Sequence, residues 1–488
     1  MISRERQVRN TVVYLFPIVV ASAIPLATLP IYTRVLSREA YGAWALSLAY
    51  AMFITGLANF GLTLGYERNF FEHREGQERS QLLYTTLAFV TGVFVICAVM
   101  TWVFRRTLAA AIVGSDSHAA LLFCTVCAHA VMSLKVYYLI FFRNTGQARA
   151  HAWYSADELI GAAILGVIFV TWLRLGVIGI PLGQLVASLV VLAALTWRFA
   201  RELPISFSAR LLKEELAVSY PLTPRILLGV AGTQIDKYLL ALLGTVAGVG
   251  VYTVGQRLAQ IVFAYMTALE NVFTPQIYDN MFKGAPGGGA VIGAFLTPFA
   301  YVSTLAALGL GLFAEEAIIV LTPSPYHGAI PIASILCLHY GLMFFGKLPQ
   351  LMYAKKTGLI SVLTFVALTA NAVCNILFIR RWGAIGAAAG TLTAGMISIT
   401  LALIVGQRYY PIRWQYPALA WIFAVLFAGV IGAVWMRDAG IPYLPRLAVK
   451  GMALGLYAAV GVQLGILSRA NIAIARTALR RRLTVPTP

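Results

Sequence analysis

Charge is scarce in this sequence. Only 11% of its 488 residues are Asp, Glu, Lys or Arg, whereas 60% are hydrophobic; a soluble globular domain carries about 25% charged residues. A chain of this length would ordinarily divide into two or three soluble domains, and the composition excludes that. Acid is scarcer still, 18 Asp and Glu against 37 Lys and Arg, for a net charge of +19. Five cysteines are too few and too scattered for a disulfide framework. Cys124 and Cys127 form a C-x-x-C, but inside an apolar run with no βαβ pattern, which points to small residues in a membrane helix rather than a redox or metal site. Six histidines are scattered, and Glu315-Glu316 is the only conspicuous acidic pair at the outer side, so no convincing catalytic set emerges. The expectation is a membrane protein without enzymatic activity, metal or cofactor.

What is present is apolar run after apolar run. A membrane helix needs about 20 mostly apolar residues. On that rule fourteen spans are expected, near 11–33, 40–62, 82–104, 119–142, 155–173, 177–199, 217–243, 247–271, 290–313, 328–352, 358–379, 383–404, 416–436 and 443–466. MISRERQVRN followed by an apolar run resembles a signal peptide, but the run continues to Tyr32, so an uncleaved first helix is expected. With an even number of spans both termini lie on one side. The loops of that side hold more than twice as many Lys and Arg as the others, which places them in the cytoplasm. The basic loops and the tail through Arg480-Arg481-Arg482 then face an anionic leaflet. No soluble domain is expected to present a nucleic-acid surface.

The chain also repeats itself. RLGVIGIPLGQL (174–185) and RWGAIGAAAGTL (381–392) share six of twelve positions at a shift of 207. Gly42 and Trp44 match Gly250 and Tyr252 at a shift of 208. A repeat of six spans returns the chain to its starting side. The expected architecture is therefore all-α and integral to the membrane. Six-helix lobes 1–205 and 206–410 would be related by a pseudo-two-fold along the membrane normal, with a helix pair and basic tail at 411–488. Transporters built from repeats place substrate near the midplane and alternate access around it.

Charges inside spans are the functional signal, because each costs about 2.5–3.5 kcal/mol at a helix centre. The in-span cations are Lys135, Arg225, Lys237, Arg257, Lys347 and Lys450. In span seven, Pro221, Arg225, Gly229, Gly232 and Asp236 fall on one helical face. Arg225 and Asp236 lie roughly 16 Å apart along the axis. Span eight adds a polar stripe of Gln256, Gln260, Thr267 and Asn271, with Arg257 at its edge and Glu270 near its far end. Bland readings stand beside this one. Arg34, Arg68, Lys347 and Lys450 can snorkel to the interface, the small-residue face can be a packing seam, and Asp236 can be a structural partner of Arg257 or Lys237. Several cations with few anions at membrane depth favour a hydrated cavity for a phosphate or pyrophosphate.

These residues also resemble a known family. LPIYTRVLSREAYGAW (29–44), FGLTLGYERNFF (60–71), YPLTPRILLGVAGTQIDKYLLALLG with GVGVYTVGQRLAQI, and RWGAIGAAAGTL are similar, in order and spacing, to motifs of the bacterial Wzx-type polysaccharide flippases of the MOP exporter superfamily. The resemblance implies a MATE-like fold in the bacterial inner membrane. It implies flipping of undecaprenyl-pyrophosphate-linked oligosaccharide toward the periplasm for O-antigen, capsule or exopolysaccharide. A lipid II flippase and a cation-coupled drug exporter are the alternatives. Arg34 would match the family's basic entry residue and Asp236-Lys237 its acid/base pair. Arg34, Lys135, Arg225, Lys237, Arg257 and Lys347 are then the expected cavity cations, and Gln256, Gln260 and Asn271 the sugar contacts. Many relatives carry an acid where this chain has Asn59, which leaves Asp236 and Glu270 as candidates for coupling to H+ or Na+. Expected partners are the lipid-linked substrate, membrane lipids, and the polymerase and chain-length proteins of the same pathway.

Overall fold

The structure is a computed structural model and describes residues 4–73, 76–283, 288–346 and 349–466. Helices account for nearly all of it. In hydrocarbon a backbone N–H or C=O has no water to bond, and a helix satisfies every such group within its own segment. In chain order the helices are α1 (Arg4–Val35), α2 (Arg38–Ala58), α3 (Leu62–Glu72), α4 (Gly76–Val103), α5 (Arg105–Val113), α6 (Ala119–Asn144), α7 (Ala148–Thr171), α8 (Gly179–Glu202) and α9 (Ala209–Ser219). They continue as α10 (Thr223–Leu243), α11 (Val246–Lys283), α12 (Gly288–Leu312), α13 (Ala314–Leu321), α14 (Ala329–Leu342), α15 (Gln350–Tyr353), α16 (Thr357–Tyr409), α17 (Tyr416–Asp438) and α18 (Tyr443–Gln463). A helix lies over each expected span, the eleventh and twelfth as the two arms of α16. Ten helical stretches among the described residues are long and apolar enough to cross a membrane. The protein is a multi-pass membrane protein. The basic tail at 467–488 lies outside the described residues.

The chain divides into two compact units: Met1–Thr253 with Leu321–Tyr326, and Val254–Val320 with His327–Pro488. In the first, α7 packs along α8 so closely that a Cβ at Gly183 would overlap the backbone of Gly166. An aromatic cluster joins α3, α6 and α8: Tyr66 meets Tyr137 edge-on, and Phe199 meets Tyr138, Phe141 and Phe142. Asn59, at the end of α2, is satisfied without charge. Its amide donates to Ser133 Oγ (2.8 Å) and Thr55 O (2.7 Å), and it accepts from the Tyr137 hydroxyl (2.8 Å).

The sequence repeat has structural counterparts. Gly176 and Gly383, partners at a shift of 207, both carry positive φ (64° and 55°). Gly383 breaks α16 into its two arms, as the turn at Gly176 separates α7 from α8. Both conformations favour glycine. Near the start of α2, a Cβ at Gly42 would overlap the carbonyl oxygen of Val246, and one at Gly250 would overlap that of Arg38. Residues 38 and 246, and 42 and 250, are related by the repeat shift of 208. The contact is reciprocal, a local pseudo-two-fold.

Two ionic clusters hold the units internally. In the first unit Lys135 (4% exposed) pairs with Glu158 (3% exposed), whose other oxygen accepts from Ser188 Oγ at 2.5 Å. This ties α6, α7 and α8 together. In the second unit the C-terminal hairpin α17–α18 is fastened to α13. Glu315 accepts from Arg446 (2.5 Å) and Lys450 (3.1 Å), Arg437 lies 3.6 Å away, and Lys450 also reaches Glu316 at 2.6 Å. Lys450 is 1% exposed. The snorkelling reading for it is therefore corrected: two carboxylates in the first turn of α13 hold the ammonium inside. Next to them Tyr301 and Tyr457 stack with centroids 4.5 Å apart and exchange hydroxyl-to-carbonyl hydrogen bonds.

Removing one partner of a buried ion pair strands the other at a cost of about 3–5 kcal/mol, whereas apolar replacement of both is often neutral. Lys135→Met and Glu158→Leu should each lower folded yield and melting temperature, and the double variant should recover most of both, read by size-exclusion thermostability. Burial raises the pKa of Glu315, but the hydrogen bonds from Arg446 and Lys450 outweigh it and hold the carboxyl below its ordinary range. Its contribution is thus present above the unfolded-state pKa and lost as pH falls through the lowered one. Glu315→Gln should destabilise the protein at neutral pH and flatten its acid-induced loss of melting temperature.

Candidate functional site

The α10–α11 hairpin carries the charges that the sequence singles out. Thr223 and Pro224 open α10, and Gly244 ends it. Asp236 is 6% exposed and accepts from the Tyr252 hydroxyl of α11 at 2.9 Å. Lys237, 7% exposed, donates to Gln234 Oε1 at 3.0 Å, one turn back on the same helix. Gln234 in turn donates to Thr233 Oγ1 at 3.2 Å. Asp236, Lys237, Gln234 and Tyr252 therefore form one buried polar knot between the end of α10 and the start of α11.

Eleven residues before Asp236, Arg225 is exposed, and Gly229 between them has nothing within 4 Å of where a Cβ would stand. The face that joins them is open, not a tight seam at that glycine. Beside it, Ala49 and Phe53 of α2 and Val230, Ala231, Gln234, Ile235 and Tyr238 of α10 line an apolar cleft of about 170 Å³. Gln234 is shared between the cleft and the knot.

Further along α11, Gln256 and Arg257 are half-buried, and Gln260 and Asn271 are exposed. Gln256 and Gln260 are one turn apart on a single face. Glu270 is half-buried and lines a small pocket with Phe263, Met266, Phe273, Met343 and Phe344. Arg34, at the end of α1, is exposed and donates to Pro30 O at 3.0 Å. Lys135 is far from open: it is the buried partner of Glu158. Lys347 lies outside the described residues.

Sequence reasoning missed Tyr252 as the partner of Asp236 and Glu158 as the partner of Lys135. Tyr252 stood in plain view as the aromatic end of the Gly250-x-Tyr252 repeat match, but nothing in a sequence says which hydroxyl a carboxylate will meet across a turn. Glu158 sits beside Asp157 near the start of span five, an in-span acid that should have been weighed against Lys135. No group of three or more His, Cys, Asp or Glu side chains among the described residues is placed to hold a metal ion.

The comparisons with known proteins agree on architecture. Lipid II flippase MurJ in an inward closed conformation superposes with a TM-score of 0.69 at 12% identity, covering 93% of this chain and 99% of that one. A MOP superfamily transporter from Pyrococcus furiosus gives 0.55 at 16% identity (83% and 95% covered), and the MATE multidrug transporter DinF-BH 0.56 at 16% (84% and 96%). The fold is that of the MOP-type membrane transporters. The probable low-salt glycan biosynthesis flippase Agl15 of Haloferax volcanii is 22% identical over 203 residues, 40% of this chain and 43% of that protein. The match thus spans about two fifths of the relative's length. The polysaccharide biosynthesis protein family matches residues 7–280, more than half of the sequence and the whole of the region that carries the α10–α11 knot, and the chain belongs to that family.

Proposed function

We propose that this protein flips an undecaprenyl-pyrophosphate-linked oligosaccharide from the cytoplasmic to the periplasmic leaflet of a bacterial inner membrane, supplying surface polysaccharide synthesis. The observation that carries the reading is the charge on α10 and α11: Arg225 and Lys237 in the apolar stretch Ala209–Leu243, and Arg257 on α11. Cations at membrane depth are costly and mark a pathway, and guanidinium with ammonium suits a pyrophosphate. Family membership and the flippase named among its relatives support the same direction. Gln256, Gln260 and Asn271 offer amides to sugar hydroxyls. The cleft beside Gln234 offers apolar wall to the first isoprene units. The Lys and Arg bias of the loops supports an orientation with both termini in the cytoplasm. Polymerase and chain-length proteins would take the product on the far side.

Lys135 drops out of the proposed cation set because Glu158 already compensates it. Arg34, exposed at the end of α1, stays as an entry residue, and Asp236 and Glu270 stay as candidates for coupling to H+ or Na+. In Asp236 the hydrogen bond from Tyr252 fixes one carboxylate oxygen.

Loss of one charge-assisted contact to pyrophosphate removes about 1.5–3 kcal/mol, or roughly ten- to a hundred-fold in affinity. Arg225→Ala and Arg257→Ala, at normal membrane abundance, should each lower surface polysaccharide by about that factor while lipid-linked oligosaccharide accumulates on the cytoplasmic leaflet. Accumulation of lipid II instead would turn the assignment to the peptidoglycan precursor. Unchanged export in a deletion strain would defeat the flippase reading. Asp236→Asn should leave substrate binding intact but make flipping in vesicles indifferent to dissipation of the ion gradient. Retained gradient dependence would remove Asp236 from the coupling role and leave Glu270.

A further inference from the structure

The connector α9 carries an acid that no part of the transport reading uses. One face of α9, Leu211, Glu215 and Ser219, is buried, and the opposite residues Arg210, Lys213 and Glu214 are exposed. Ser208 caps its start, accepting from Leu211 N at 3.3 Å, and the Ser208 N–H donates to Thr85 of α4 at 3.0 Å. The buried face docks on glycines of the α3 region. A Cβ at Gly61 would overlap the carbonyl oxygen of Ser219, and one at Gly65 would overlap its hydroxyl. This docking drives Glu215 into the first unit, where it is 0% exposed.

Among the described residues Glu215 is in no ion pair, and its Oε1 has no hydrogen-bond partner. Around it α3 contributes Tyr66 and α6 contributes Tyr137, with Tyr138 nearby. Arg79, at the start of α4, turns its Nε to the His73 carbonyl at 2.9 Å and its guanidinium over the Phe70 ring. On α9 itself, Arg210 pairs with Glu214 on the exposed face. An isolated buried carboxylate is so costly that such a group neutralises instead.

Among the described residues one hydroxyl donates to the carboxyl. Thr86 Oγ1 lies 2.8 Å from Leu82 O and 2.7 Å from Glu215 Oε2. A threonine hydroxyl has one proton. That proton is shared between the two acceptors, so Thr86 gives the carboxyl at most one partial hydrogen bond, and Oε1 has no donor.

We propose that Glu215 is a proton-binding latch: the docked connector holds it as the neutral acid, and loss of its proton releases α9 from α3 and α4. Release transfers the proton to water and leaves the carboxylate solvated beside Arg210 and Lys213. Because α9 leads through Tyr220–Leu222 directly into α10, proton occupancy at Glu215 biases the helix that carries Arg225, Asp236 and Lys237. The inference does not depend on which lipid is carried.

The carboxyl is protonated when docked and ionises more readily when free, so docking is complete at low pH and weakens as pH rises through the docked-state value. Hydrogen exchange of 209–219 in the full-length protein in nanodiscs reads this. After correction for intrinsic base catalysis, wild-type protection should fall by about tenfold per pH unit over that window. Glu215→Gln, which keeps shape and neutrality, should stay protected throughout. The infrared band of a protonated carboxyl at neutral pH should vanish in the same variant. An identical pH slope in Glu215→Gln, or no such band in the wild type, overturns the proposal.

Discussion

Every part of this molecule answers to one constraint: within hydrocarbon, a polar group must find its partner inside the protein. The helices are its first consequence, since each satisfies its own backbone. The second is the fate of the charged side chains. Lys135 is buried against Glu158 and Lys450 against Glu315 and Glu316, and Asp236 is held by the Tyr252 hydroxyl. Among the described residues Glu215 is in no ion pair and its Oε1 has no hydrogen-bond partner, and that exception is what makes it informative.

Where apolar helices meet, the hydrophobic effect gives little direction, because lipid is as apolar as leucine. Close backbone approach and shape decide instead. The glycines serve this purpose at a few crossings: Gly42 against Val246, Gly250 against Arg38, Gly183 against Gly166, and Gly61 and Gly65 against Ser219. The first two crossings are one contact seen from both halves of the repeat. The last two seat the connector, and by seating it they bury an acid that would otherwise face water. Packing and electrostatics are thus linked: a glycine face sets the depth of a helix, and the depth sets the charge state of its side chain.

The architecture was legible in the sequence because it follows from composition and period. Runs of about twenty apolar residues require helices, and the glycines aligned by the shift of 207, Gly176 and Gly383, share a positive φ in the structure. The candidate site was chosen in the sequence because Arg225, Asp236 and Lys237 are conspicuous in an otherwise apolar span.

What the tertiary structure decided is the pairing. Lys135 and Lys237 look alike in a sequence, each a lysine in an apolar run. One is met by a carboxylate from the next span and the other by a glutamine three residues back. Glu215 looks like an ordinary residue of an amphipathic connector until α9 is seen lying with that face inward. The physical reason is common to all three. Helical period says which residues share a face, but the energy of a charge depends on what stands opposite that face, a few ångströms away and up to a hundred or more residues distant along the chain.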